Sequence, residues 1–122
     1  MCEHVGLEIT EIGDDFLKGT LPVDERTIQH MGIIHGGASV VLAETLGSAA
    51  AYFCSAPGKH IVGLDINANH VRPGRPPIVT GVAKPVHIGR TTVVVEINIT
   101  DSEEKLVCVS RLTAAVLEDE KP

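Results

Sequence analysis

Hydrophobic and polar residues alternate with a two-residue period over much of this chain, and the alternation gives way once, to a long apolar run in the first half. Residues 7–12 and 16–23 are two short strand-like runs around Gly13-Asp14-Asp15, a composition suited to a hairpin turn. Residues 24–35 keep no clean period and contain Gly32, which predicts a long connection. From about Gly36 to Cys54 the chain is apolar almost all round, the mark of a buried helix rather than a surface one, and Pro57-Gly58 stops it. Four more alternating runs follow near 61–71, 78–87, 91–100 and 105–117, parted by Pro73–Pro77, Gly89-Arg90 and Asp101–Glu104. In Val93–Ile99 the odd positions are apolar, with Glu96 and Asn98 on the other face; over 106–117 both faces are largely apolar, which predicts a strand with neighbours on both sides. Two strands, a helix and four strands predict an α+β fold, an antiparallel sheet wrapped round one central helix. Residues 1–122 read as a single domain.

Composition narrows the picture. Hydrophobic residues make up 43% of the 122 residues but aromatics only 2%, so the core must be built from Val, Ile, Leu and Ala. A net charge of −6 argues against nucleic acid as a partner, since that role needs a basic face. Cys2, Cys54 and Cys108 are odd in number and lack the close pairing of a zinc site or a redox pair, so they read as packing thiols in a reducing compartment. The opening residues have neither the basic start nor the apolar stretch of a secretory signal, and no run is long enough to span a bilayer. A cytoplasmic protein with no membrane partner is expected. His4, His30 and His60 have no ligand spacing, so no metal is expected, and neither Ser39 nor Ser48 sits in a GxSxG elbow.

Candidate chemistry concentrates in His35-Gly36-Gly37 and the helix that follows. A helix leaves its first N–H groups unpaired and carries positive partial charge there, and two glycines let a ligand approach that backbone closely. A developing oxyanion would be held at such a place. Further along the same helix, Glu44 is a single carboxylate among Val41, Leu42 and Leu46, within reach as a base or nucleophile and expected to be poorly solvated. Ser48, four residues on, shares its face. The bland alternatives are a glutamate that pairs with a buried arginine, a His35 that merely bonds to backbone, and glycines that permit close packing.

These residues carry a resemblance. Gln29-x-x-Gly32-x-x-His35-Gly-Gly, then Ala43-Glu44-x-x-Gly47-Ser48, then Val62-Gly-Leu-Asp-Ile-Asn-Ala-Asn-His70-Val-Arg72, is similar to the hotdog-fold acyl-CoA thioesterases, above all the bacterial 1,4-dihydroxy-2-naphthoyl-CoA and aryl-CoA (4-hydroxybenzoyl-CoA-like) branch. It covers about Val5 to Leu117. It implies Glu44 as the catalytic carboxylate, Gly36 as the N–H that polarises the thioester carbonyl, Gln29 and His35 as its positioning groups, and Ser48 beside Glu44. It places coenzyme A, as part of the substrate and with no separate cofactor, against His70, Val71, Arg72 and Pro73 and against His87, Ile88, Gly89 and Arg90. Arg72, Arg75, Lys84 and Arg90 were independently readable as a basic patch at neighbouring strand ends. The resemblance further implies a homodimer with composite sites, paired again into a homotetramer. Two departures stand out: His30-Met31 where close relatives tend to carry Pro-Phe, and a start just before the first strand, without the leading helical segment relatives often have. A hydroxyacyl-thioester dehydratase of the same fold, and a non-enzymic acyl-CoA sensor, are the alternative readings.

Overall fold

The computed structural model describes residues 1–118. One helical turn, α1 (Cys2–Val5), precedes the sheet and packs Cys2 and Val5 against the core, so the expectation that the chain starts directly at its first strand is corrected. Four residues are too few for a helical period to show in the sequence. The strands are β1 (Glu8–Ile12), β2 (Leu17–Pro22), β3 (Lys59–His70), β4 (Ile78–Ile88), β5 (Thr92–Thr100) and β6 (Leu106–Glu118), and the apolar run is helix α2 (Gly36–Phe53). Each lies within about two residues of its predicted span.

All neighbouring strands are antiparallel, in the order β1-β2-β4-β5-β6-β3. Sequence neighbours pair as hairpins except around the helix, where β2 crosses to β4 and β3 joins the far side of β6. β6 has a neighbour on each side, as its doubly apolar pattern predicted. The inner face of the sheet, with Leu17, Leu21, Val79, Ala83, Val93, Val95, Ile97, Ile99, Leu112 and Ala114, closes on Leu42, Ala43, Leu46, Ala50 and Ala51 of α2. All of it is aliphatic. Close approach of helix to sheet depends on glycine: a Cβ on Gly47 would lie 2.9 Å from Leu112 Cδ2, and one on Gly81 2.7 Å from Leu46 Cδ1.

β3 is an edge strand of 12 residues whose outer backbone is unpaired and whose Val62 and Leu64 are 47% and 61% exposed. Long apolar edges are templates for another strand, and β3 has no proline or lysine along Ile61–His70, though its pairing with β6 shifts register between Gly63 and Asp65. The opposite edge, β1, is short and bulged between Ile9 and Glu11.

Candidate active site

The first turn of α2 is held open by a specific set of bonds. His35 is the N-cap, in extended conformation, and its Nδ1 accepts the Gly37 N–H at 2.9 Å. The His35 carbonyl takes the N–H groups of Ala38 and Ser39, and the His35 N–H is tied to Thr27 O at 2.8 Å. Of the first four donors of α2, three are thus paired, and the fourth, the Gly36 N–H, has no acceptor among the described residues. The capping role of His35 is the backbone alternative weighed for it, and that role is what leaves the neighbouring N–H free.

From the connection 23–35, Ile33 and Ile34 line the cleft beside this donor. Thr27, buried, donates to Pro22 O at 2.7 Å and fixes the start of the connection. Gln29 sits in a turn closed by Gly32 N–H to Gln29 O at 3.0 Å, where Gly32 takes φ 82°, and its Oε1 accepts the Met31 N–H. The end of β3 and the residues after it supply the opposite wall: Gly36, His70, Val71, Arg72, Pro73 and Gly74 line a cleft of about 440 Å³ with Ile33, Ile34 and Val107. Arg72 Nη1 donates to Leu106 O at 2.7 Å, which aims one side of the guanidinium at backbone and leaves the other to the cleft mouth.

Glu44 is elsewhere. At 1.5 Å per residue it stands about 12 Å along the axis from Gly36, too far for one carbonyl group to meet both in one chain. The expectation that the two lie within reach on a single helix is corrected by that rise. The expected burial is corrected too: Glu44 is exposed, because Leu42, Ala43 and Leu46 turn toward the sheet while residues 44, 45 and 48 are left less covered. Its Oε2 lies over Gly63 of β3, 3.5 Å from the place a Cβ would take there. Ser48 is half-buried one turn further on, on the same face, as its spacing predicted.

The second predicted basic segment lies at the other end of the molecule. Ile88, Gly89 and Arg90 line a small hollow of about 170 Å³ with Cys54, Ser55, Ala56 and Lys59, beyond the C-terminus of α2, and His87 stands exposed beside it on β4. Since α2 is 18 residues long, about 27 Å separates this hollow from the Gly36 cleft. Lys84 lies apart again, opposite Glu96 on the outer face of the sheet. The four basic residues therefore do not form one patch in a single chain; strand order, which sequence spacing does not report, separates them. The thiols fit packing: burial pushes those of Cys54 and Cys108 up, the reverse of what a nucleophile needs.

A model of the thioesterase superfamily matches residues 31–108, which spans α2 and most of the sheet. The chain belongs to the thioesterase superfamily. Among curated members of this superfamily, the 1,4-dihydroxy-2-naphthoyl-CoA hydrolase of Escherichia coli is 50% identical over 117 residues, 96% of this chain and 86% of that protein. A Haemophilus influenzae thioesterase structure superposes with a TM-score of 0.95 at 50% identity, covering 98% of this chain and 84% of that one. The sheet around α2 is thus the hotdog fold of the superfamily. A Staphylococcus aureus thioesterase has been crystallised as a glutamate-to-alanine and as a glutamine-to-alanine variant. Those two structures reach TM-scores of 0.91 and 0.89 at 31% and 32% identity, cover 96% and 95% of this chain, and match 98% and 97% of their own. Among the described residues of the present thioesterase, no helix is long and apolar enough to cross a membrane.

Sequence reasoning missed one feature of the site, the approach of His70 to Gly36. It arises from the pairing of β3 with β6, a contact between segments far apart in the chain, and no local signal carries it.

Proposed function

We propose that this protein hydrolyses acyl-CoA thioesters with an aromatic or medium-sized acyl group to the free acid and coenzyme A, as a homodimer whose sites are composite. The observation that carries the reading is the unpaired Gly36 N–H at the head of α2, about 12 Å from an exposed Glu44 on the same helix. A thioester carbonyl bound at Gly36 of one subunit would meet Glu44 of the other. The open β3 edge beside Glu44, with Val62 and Leu64 exposed, is where the second copy docks. Glu44 then acts on the carbonyl carbon, directly or through a water whose proton it accepts, and the electron pair leaves with the coenzyme A sulfur.

Other findings agree. The glutamate and glutamine replaced in the staphylococcal thioesterase are fifteen residues apart, the separation of Gln29 and Glu44 here. The name of the Escherichia coli relative supports an aryl-CoA substrate. Arg72 and Arg90 lie at different ends of one chain, so a substrate that uses both would need them from two subunits. Three free cysteines suit the reducing cytoplasm.

The test is thiol release from benzoyl-, hydroxybenzoyl-, naphthoyl- and aliphatic CoA thioesters, by wild type and by two inactive variants mixed before assay. Glu44→Ala and Gly36→Val each remove one half of the site, so randomly exchanged mixtures should recover about a quarter of wild-type activity through heterodimers with one intact site. Thiol release with no recovery on mixing overturns the composite site. No release from any thioester by folded wild type, with binding retained, turns the reading to a dehydratase or a sensor.

A further inference from the structure

His70 ends β3, and its imidazole reaches across to the head of α2. A Cβ built on Gly36 would lie 3.1 Å from His70 Nε2, 3.4 Å from Cε1 and 3.5 Å from Cδ2, so the Nε2 corner of the ring is what faces Gly36. The ring is exposed, both residues line the same cleft, and neither ring nitrogen has a partner among the described residues. Two unpartnered groups therefore stand side by side: the Gly36 N–H, left over when His35 satisfied the rest of the turn, and the His70 ring nitrogen that faces the same residue. A single backbone N–H is a thin oxyanion site, and a second donor aimed at the same oxygen strengthens polarisation without moving on reaction.

We propose that His70 is a second carbonyl donor, its Nε2–H joining the Gly36 N–H on the thioester oxygen, rather than a contact to the phosphates of coenzyme A. The ring also crowds position 36, where a Cβ would make it shift by a few tenths of an ångström. This inference rests on the acyl-CoA reading above. It assigns the polarising half of the site wholly to one chain, with Gly36 and His70 from the same subunit.

The test separates donor from wall. His70→Phe keeps a flat ring over Gly36 without an N–H; His70→Gln returns an N–H without the ring. His70→Phe should lower kcat about a hundredfold with KM little changed, and His70→Gln should regain at least about tenfold of that. Wild-type kcat in the Phe variant, or an effect confined to KM, overturns the proposal. A readout independent of turnover is the C=O stretch of bound S-phenacyl-CoA, a thioether ketone that cannot be hydrolysed. It should fall in frequency on wild type and lose part of that fall on His70→Phe; equal frequencies on both overturn the proposal. Thiol release with equal frequencies would sink the role of His70 and spare the hydrolase. Unequal frequencies without thiol release would do the reverse.

Discussion

At the first turn of α2 one chain supplies much of a pocket: a capped turn tied to Thr27, a free N–H, an imidazole across from it, and a wall of Ile33 and Ile34. Two turns on, around Glu44, the same chain supplies almost nothing but the carboxylate and Gly63 beneath it. The contrast shows that an all-round apolar helix has two physical causes. Leu42, Leu46 and Ala50 are apolar because the sheet covers them fully, whereas Val41 and Ala49 pack against the same core only in part and leave a half-open face beside the exposed Glu44.

The sharpest way to break that comparison is Glu44→Ala. Because the side chain is exposed in the chain and has no hydrogen bond or ion pair among the described residues, stability should change by no more than about 0.5 kcal/mol. The rate should fall about a thousandfold in kcat with KM nearly unchanged. Steady-state kinetics beside a thermal melt would check both, and a melt that collapses with the rate would mean the carboxylate serves folding.

A smaller but more structural effect is expected from Leu64→Lys. Leu64 is 61% exposed on the free edge of β3, so a single chain loses little by the change, while a strand docking there meets an unpaired charge. Light scattering should find monomer at micromolar concentration, with activity below about a tenth of wild type and with the Gly36 pocket of each chain intact. A fully active monomer would show that the two ends of α2 do not need each other across an interface.

Much of the fold was legible from alternation alone, and every strand and the long helix fell near their predicted bounds. Position within the sheet was less so. β6 betrayed its two neighbours by being apolar on both faces, but nothing in Ile61–His70 announces that β3 is the free edge, because that depends on its pairing with β6, from His70 with Cys108 to Lys59 with Glu118. The motif residues Gln29, His35, Gly36, Glu44 and Ser48 were readable; the distance between Gly36 and Glu44 needed only the helical rise, whereas the solvation of Glu44 was misread because hydrophobic neighbours in sequence point to the other side of a helix. The split of the basic residues between the two ends of α2, and the meeting of His70 with Gly36, depend on long-range pairing that spacing does not encode.

The smallest effect concerns the turn that steadies the Arg72 end of the pocket. Asp101 Oδ1 accepts the backbone N–H groups of Glu103 and Lys105, each at 2.9 Å, just ahead of Leu106, whose carbonyl holds Arg72. The Lys105 N–H, then that of Glu103, with the charges of Lys105 and Arg72, hold the Asp101 carboxyl below its ordinary 3.8. A carboxyl depressed in the folded state binds protons less readily than in the unfolded one. Its contribution is therefore complete above 3.8 and is lost as pH falls through the lower folded value. Asp101→Ala should lower the melting temperature near neutrality, and the gap to wild type should close as pH drops below 3.8. KM for the thioester should rise in Asp101→Ala while kcat stays, since Arg72 loses its brace and Glu44 does not. A gap that persists unchanged into acid would assign the stabilisation to the turn's shape rather than to the charge, and an unchanged KM would detach this loop from the pocket.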